Sequence, residues 1–244
     1  MTRYVGSKWR KTSAILKNSY LAAHVPETLR MTKVSLLNSL NRYEMVYVKP
    51  EHGSYGNGVM RVERLPDGYR YQSGEKIHQF KEYGPLYRSI VKQTKGKRYL
   101  VQKGIHLLKH QGRRFDLRVM VQFSPNRTWE TTGIIGRVAA KHKIVTNYHN
   151  GGRIVSASTL LREHTSDLNG KLRELEKLGV KAGLAMQKAF PGVYVIGLDV
   201  AMDKKLHPWI LEVNTSPDPY IFRKHPDGTL FKKIMRYAKA YPKK

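Results

Sequence analysis

Alternation of hydrophobic and polar positions is the main pattern in the chain. It predicts short β-strands, because successive side chains of a strand point to opposite faces. The clearest case is "RRFDLRVMVQF", residues 113–123, which Pro125 and Asn126 terminate. Residues 128–140 are the expected hairpin partner of this strand. Further strands are predicted at residues 45–50, 58–65, 69–72, 98–105, 194–203 and 207–217.

Apolar residues at helical spacing predict three helices among these strands. A stripe of leucines and one valine runs through residues 29–40. A longer helix is expected over residues 164–190, with Ser166 or Asp167 as its N-cap, and a last one over residues 227–240. Two other stretches lack a clear period: residues 1–24, expected to be a partly helical lead-in, and residues 75–95, expected to be helix or loop.

The order of the elements places strands next to strands, which predicts an α+β fold and not alternating βαβ units. A length of 244 residues suits one large domain or two small ones with a proper core. No G-x-G-x-x-G follows the first strand, and no G-x-x-x-x-G-K-[ST] occurs, which excludes a Rossmann dinucleotide motif and a P-loop.

The charge adds an expectation about partners. Lys and Arg number 45 against 18 Asp and Glu, a net charge of +27 that attracts polyanions such as nucleic acid, nucleotides, anionic membrane or an acidic protein. A solvated basic surface is the alternative. The sequence has no cysteine, which excludes disulfides and thiolate zinc sites and fits a cytoplasmic protein. No apolar run long enough for a transmembrane helix is present.

A glycine-rich segment, "VYVKPEHGSYGNGV", joins two of the predicted strands. Gly53, Gly56 and Gly58 allow backbone N–H groups to approach phosphate oxygens, and Lys49 places an ammonium beside them. The alternative is an ordinary glycine-containing hairpin with a surface lysine.

The strand "RRFDLRVMV" presents charged side chains on one face. Arg114, Asp116 and Arg118 share that face, so that the central acid is expected to hold the arginines toward an anionic ligand. A structural surface ion pair is the alternative. Arg137 is a further cation in an apolar strand.

Two segments near these strands offer further polar groups. Asn147, Gly151 and Gly152 in "TNYHNGG" are expected to form an anion-facing loop. Asp199, Glu212 and Asn214 lie in two apolar strands of one predicted hairpin, where carboxylates are costly to bury unless they are paired or bind metal. Three oxygen donors favour Mg²⁺ held together with substrate phosphates; salt bridges to nearby arginines are the alternative.

In their order along the chain these motifs resemble the ATP-grasp superfamily, most closely its YheC/YheD-type, endospore coat-associated branch. The resemblance covers about residues 25–220. It rests on the segments "VPET", "VYVKPEHGSYGNGV", "YLVQKGI", "RRFDLRVMVQ", "GRVA", "TNYHNGG", "GLDVAMD" and "WILEVNTSPD".

The resemblance implies an ATP-grasp fold, with two α+β subdomains that grip ATP and without a full preceding α/β domain. Residues 1–24 are then a basic lead-in, and residues 25–103 are the N-terminal subdomain with a glycine-rich flap. Residues 104–244 are the C-terminal subdomain with the Mg²⁺ site and a basic tail.

The resemblance also implies a role for each motif. Lys49 contacts the α and β phosphates, and Lys33 is a candidate for a second lysine upstream. Arg118 and Arg137 face the γ-phosphate or an acyl phosphate, near Asp116. The implied cofactors are ATP and one or two Mg²⁺ ions, the latter on Asp199, Glu212 and Asn214. The remaining nucleotide-binding groups are the flap, Gly53, Ser54, Tyr55, Gly56, Asn57 and Gly58; the hinge, Gln102, Lys103, Gly104 and Ile105; and the loop residues Asn147, Gly151 and Gly152.

The implied chemistry is ATP-dependent activation of a carboxylate for attack by an amine or thiol. The basic composition favours an acidic acceptor, such as a peptide or protein rich in Asp and Glu. Three alternatives remain: an ATP-grasp kinase of a small anion such as an inositol phosphate, a non-catalytic structural protein, and a nucleic-acid-binding protein on the same fold. A cytoplasmic or spore-associated location is expected from the family.

Overall fold

The strands form two antiparallel sheets, and the cleft between them holds the candidate site. A computed structural model gives the structure of residues 3–241. The first sheet consists of β1 (Thr28–Arg30), β2 (Met45–Pro50), β3 (Met60–Leu65), β4 (Gly68–Ser73), β5 (Lys76–Phe80) and β6 (Tyr99–Lys103), in the order β1-β6-β2-β3-β4-β5.

The second sheet contains the long central strand that the sequence predicts most clearly. Its members are β7 (Lys109–His110), β8 (Arg113–Phe123), β9 (Trp129–Val138), β10 (Arg153–Ser156), β11 (Val195–Met202) and β12 (Pro208–Asn214). The order is β10-β9-β8-β11-β12, with β7 paired to β8.

Seven α-helices lie in the described residues 3–241: α1 (Lys8–Leu16), α2 (Ser19–Ala22), α3 (Lys33–Tyr43), α4 (Tyr83–Thr94), α5 (Ala157–Arg162), α6 (Leu168–Ala189) and α7 (Gly228–Ala240). Side-chain caps explain several starts. The Asp167 carboxylate accepts from the Gly170 N–H at the start of α6, which confirms one of the two predicted N-caps.

Each sheet buries one face against helices, and the other face borders the cleft, although α7 covers part of that face in the second sheet. Leu36 of α3 and Ile90 of α4 pack with Val46 and Val48 of the first sheet. In the second sheet, the core contains Phe115, Leu117 and Val119 together with apolar residues of α1, α5 and α6. Because side chains alternate along a strand, the residues between these core positions point into the cleft.

The N-terminal helices are part of the second core. Val5, Ile15 and Leu21 are buried in the same cluster as Phe115 and Leu117. The lead-in expected at residues 1–24 therefore packs on the second sheet over its described part, residues 3–24.

Three predictions of local structure are wrong. Residues 28–30 form β1, although the predicted helical stripe includes Leu29; the helix begins only at Lys33. Residues 76–80 form β5, an edge strand, where helix or loop is expected, and residues 153–156 form β10 at the end of the predicted polar loop. These strands have mixed or exposed burial, so that hydrophobic alternation does not reveal them. Among residues 3–241, no helix is both long and apolar enough to cross a membrane.

Candidate functional site

A cavity of about 250 Å³ lies between the two sheets, and most of the predicted site residues meet in it. Sixteen of them line it: Lys49, Gly53, Ser54, Tyr55, Gly56, Asn57, Gln102, Lys103, Ile105, Asp116, Arg118, Arg137, Asn147, Asp199, Glu212 and Asn214. Gly58, Gly104, Gly151 and Gly152 do not line the cavity, nor does Lys33.

The centre of the cavity floor is an ion pair between neighbouring strands. Asp116 of β8 lies opposite Arg137 of β9 in the sheet register. The Arg137 Nε and Nη2 atoms donate to the two Asp116 carboxylate oxygens over 2.9 and 2.5 Å. Burial alone lowers the pKa of Arg137, but the carboxylates of Asp116 and Asp199 outweigh it and raise that pKa above its usual value. Arg137 therefore stays charged.

The prediction that Asp116 holds Arg114 and Arg118 is wrong. Residues two apart on one strand are separated by nearly 7 Å, whereas directly opposed residues of adjacent strands are about 5 Å apart. The structure pairs Asp116 with its cross-strand neighbour Arg137, while Arg118 pairs with Asp199. Same-face residues can be found from sequence, but strand register is needed to choose partners.

Asp199 joins both arginines. Its Oδ1 accepts from the Arg118 Nε over 2.7 Å, and its Oδ2 lies 3.1 Å from the Arg137 Nη2. Burial alone raises the pKa of Asp199, but the two guanidiniums outweigh burial and hold this pKa below its usual value. The salt-bridge alternative considered from sequence thus describes the present partners of Asp199.

The oxygen donors of β12, Glu212 and Asn214, are held less tightly by cations than Asp199 is. Asp199 and Glu212 are register partners, and Gly197 lies opposite Asn214. The nearest cations to the Glu212 Oε1 are the Nζ atoms of Lys8 and Lys11, at 3.7 and 4.0 Å, which are long contacts.

Within residues 3–241, no group of three or more His, Cys, Asp and Glu side chains is arranged to hold a metal. The predicted set has two carboxylates and one amide on neighbouring strands, all of which line the cavity. Hard oxygen donors of this kind suit Mg²⁺. The donor set therefore fits the ion in chemistry, and its assignment stays a prediction.

Lys49 lies at the cavity wall beside these acids. Its Nζ donates to the carbonyl oxygen of Leu211 over 3.3 Å. Burial and the neighbouring ammonium of Lys8 lower its pKa, Glu212 and Asp199 act in the opposite direction, and the resulting pKa is about 8. An anion at this point would stabilise the ammonium form and raise this pKa.

Lys8 is a cavity residue that sequence reasoning missed. It begins α1, whose N-cap Ser7 donates through its hydroxyl to the buried Glu51. The Lys8 Nζ donates to the Gly53 carbonyl over 2.7 Å, so that a helix of the second core touches the glycine-rich segment. Lys11, one turn later, has its pKa lowered by burial. A basic, non-periodic segment gives no local signal for such a role.

The flap, residues 53–58, lies against the polar loop of the other sheet. Gly56 has φ +74°, and a Cβ there would lie 2.7 Å from the Asn147 Nδ2 and 3.1 Å from Val145. The rings of Tyr55 and His149 make an edge contact at 4.5 Å between centroids. Only glycine fits Gly56 without displacing this loop.

The hinge residues use some of their groups within the protein. The backbone N–H of Lys103 donates to Glu27, and that of Gly104 donates to Met45. The Lys103 ammonium lies 4.8 Å from the centroid of the Trp209 ring. Gly104 serves packing, since a Cβ there would lie 2.7 Å from the Met45 carbonyl oxygen. In the described part of the chain, the Ile105 N–H has no backbone acceptor.

The other glycines outside the cavity shape its rim. Gly58 and Gly151 have φ values of +74° and +81°. A Cβ on Gly152 would lie 2.5 Å from the Thr146 carbonyl oxygen. These residues allow the turns that carry the flap and the polar loop.

Family comparison matches nearly the whole chain. The model of the family described as YheC/D like ATP-grasp covers residues 1–243. The match includes residues 1–24, which lie outside the segment that carries the resemblance in sequence motifs.

Two Bacillus subtilis (strain 168) proteins are similar in sequence. Endospore coat-associated protein YheD is 23% identical over 228 residues, 91% of this chain and 50% of YheD. Endospore coat-associated protein YheC is 19% identical over 226 residues, 88% of this chain and 62% of YheC. The chain thus spans about half to three-fifths of these relatives.

A solved structure has the same fold. N5-carboxyaminoimidazole synthase from Aspergillus clavatus, crystallised in complex with ADP, gives a TM-score of 0.58 at 10% identity, over 99% of this chain and 53% of the synthase. With the family match, this likeness shows that the two-sheet architecture is the ATP-grasp fold.

Proposed function

Because the chain belongs to the YheC/D-like ATP-grasp family, we propose that it binds ATP in the cavity and uses it to join a carboxylate to an amine or thiol. The observation that carries the proposal is the convergence of cations from separate elements. Lys8, Lys49, Arg118 and Arg137 come from α1, β2, β8 and β9 and line the same cavity. Such a set matches the spread negative charge of a triphosphate.

The cavity offers different chemistry at its two ends. Tyr47, Ile105, Ile144 and Leu211 provide an apolar wall near the hinge, where we expect the adenine. The free Ile105 N–H supplies a donor to its edge. The phosphates then point toward Lys49 and the flap, whose backbone can approach them closely.

The metal assignment follows from the donors at the phosphate end. Glu212 and Asn214 would hold Mg²⁺, with Asp199 on the adjoining strand as a third oxygen donor. When bound, Mg²⁺ would offset the negative charge of the phosphates. If Asp199→Ala or Glu212→Ala protein hydrolysed ATP as well as wild type, this assignment would be wrong.

The proposed reaction has two steps. A carboxylate oxygen of the first substrate attacks the γ-phosphorus, the bond to the β–γ bridging oxygen breaks, and ADP leaves. The amine or thiol then attacks the acyl carbon, phosphate leaves with the bonding pair, and the nucleophile releases its proton to phosphate or water. Arg118 and Arg137 offset the charge on the transferred group. Asp116 acts as a positioning residue, because its contact is with Arg137.

The acyl phosphate provides the test. Protein is incubated with ATP, Mg²⁺, acidic peptides and hydroxylamine, and both hydroxamate and ADP are measured. We expect hydroxamate to form with wild type and to fall by about 10²-fold or more in Arg118→Met, as for loss of other transition-state donors. ADP release that yields a phosphate monoester and no hydroxamate would indicate a kinase and contradict the ligase.

The acceptor and location belong to the same proposal. We expect an acidic acceptor because the chain carries a net charge of +27. The names of YheD and YheC suggest a role at the spore coat, and fractionation of coat proteins tests this. A tagged chain that is absent from the coat fraction would contradict it.

A further inference from the structure

A second, strongly basic groove of about 540 Å³ adjoins the ATP cavity. One side is formed by the cleft face of β3 and β4 with the β4–β5 turn. The other is formed by the start of β8 and residues 139–143. Six of its thirteen lining residues are Lys or Arg: Arg61, Lys109, Arg113, Arg114, Lys141 and Lys143; Glu75 is the acid among them.

Few acids offset these charges. Lys143 pairs with Glu75 at 2.8 Å, and Arg61 pairs with Glu63 at 2.5 Å. The Nε of Arg61 is buried without a hydrogen-bond partner. For the remaining four cations of the groove, no acidic side chain of residues 3–241 lies within ion-pair distance. The groove therefore holds unpaired donors that an anion can bind.

Placing these cations together is unfavourable without a counter-charge. Burial lowers the pKa of Arg61, and repulsion from Arg114 lowers it further, which shows that the two guanidiniums interact. The groove loop is held in place, because the Gln72 amide donates to the His142 carbonyl over 2.8 Å across the groove. A bound anion would relieve the repulsion.

The groove and the ATP cavity are neighbours on either side of a shared wall. Arg61 lies opposite Tyr47 in the register, and Tyr47 lines the cavity. The Tyr47 hydroxyl donates to the Ile144 carbonyl over 3.5 Å, next to the groove residue Lys143. A peptide bound in the groove therefore lies beside the cavity.

We propose that this groove binds an acidic peptide, with consecutive Asp or Glu carboxylates on the guanidiniums and ammoniums, and presents its end to the ATP cavity. The presentation step rests on the proposed ligase function, whereas the binding step does not. Guanidinium groups match carboxylates through paired N–H donors.

The lining favours a peptide over a nucleic acid. Single-stranded nucleic acid is held by stacking of bases on aromatic side chains as well as by charge. Among the described residues that line the groove there is no Phe, Tyr or Trp. The Lys, Arg and Gln donors that line the groove suit carboxylates.

The test compares two variants that lose the same charge. The groove variant is Lys109→Gln/Arg113→Gln/Lys141→Gln. The control is Arg88→Gln/Lys92→Gln/Lys97→Gln, on and after α4, where these three side chains are exposed and line neither cavity. Binding of a fluorescent oligo-glutamate peptide is measured by anisotropy without ATP, next to a single-stranded oligonucleotide of equal charge. Circular dichroism and thermal melting show that each variant is folded.

We expect the groove variant to bind oligo-glutamate about tenfold or more weakly than wild type, and the control to lose much less. Affinity should also fall with salt. Equal losses in the two variants would mean a diffuse basic surface and overturn the proposal. Preferential loss of oligonucleotide binding would assign the groove to nucleic acid and also overturn it.

The binding step is separate from the chemistry. If the folded protein forms no hydroxamate but the groove variant still loses peptide affinity, the ligase is wrong and the groove is retained. If hydroxamate forms equally in wild type and groove variant at limiting peptide, presentation by the groove is wrong.

Discussion

The Asp116–Arg137 ion pair supports the sharpest quantitative prediction. The exposed fractions of these residues are 3% and 2%, so both charges are largely shielded from bulk water. Asp116→Ala leaves the guanidinium with Asp199, 3.1 Å away, as its remaining acidic partner. Removal of one member of a buried pair costs about 3–5 kcal/mol, and the contact with Asp199 places the expected loss near the lower end, about 3 kcal/mol.

The assay is urea unfolding followed by circular dichroism, with thermal melting beside it. A loss of about 3 kcal/mol in the free energy of unfolding corresponds to about 6–12 °C in Tm for a chain of this size. The double variant Asp116→Ala/Arg137→Met removes both charges. We expect its loss to be smaller than the sum of the single losses by about 2 kcal/mol, because the partners are coupled.

A partly exposed ion pair serves as the control. Glu174→Ala removes the partner of Lys171 on α6, a pair three residues apart on the helix surface, and should cost about 0.5 kcal/mol or less. If Asp116→Ala cost no more than Glu174→Ala, or if the single losses simply added in the double variant, the ion-pair reasoning would be refuted.

Three further outcomes are expected at the cavity. Because the pKa of Lys49 is about 8, ATP affinity measured by calorimetry should fall as the pH rises above about 8, where the ammonium is lost. The Lys49→Ala variant should bind ATP more weakly than wild type, and its affinity should not show this fall with pH. If Lys49→Ala bound ATP as tightly as wild type, the glycine-rich segment would be an ordinary hairpin and not a phosphate-binding flap. In Gly56→Val the new side chain meets Asn147, so we expect a marked loss of turnover rate with a comparatively small loss of Tm. A marked loss of Tm with little loss of turnover rate would contradict the role of this segment as a flap. Lys8→Gln should raise the KM for ATP several-fold, whereas the exposed Lys17→Gln should not; equal KM values would remove Lys8 from the site.

Much of the site could be predicted because strand periodicity assigns side chains to faces. Alternation in β8 places Asp116 and Arg118 on the face opposite Phe115, and the structure confirms that division. The predicted bounds of β8, residues 113–123, are also those observed. Ordered motifs then identified the family, which the comparison confirms.

The parts that could not be predicted depend on long-range packing. The pairing of Asp116 with Arg137 requires the register of β8 on β9. Lys8 reaches the cavity only because α1 packs on the second core and contacts Gly53. The groove gathers cations from β3, β8 and a loop, and no single segment of sequence shows that they meet.

The most direct test of the central claim is a calorimetric titration of wild-type protein with ATP, with Mg²⁺ and again with EDTA. The account predicts saturable binding at one site per chain that weakens strongly without Mg²⁺ and in Glu212→Ala. Folded protein that gives no binding heat with Mg²⁺ across several temperatures, and no shift in Tm on addition of ATP, would contradict it.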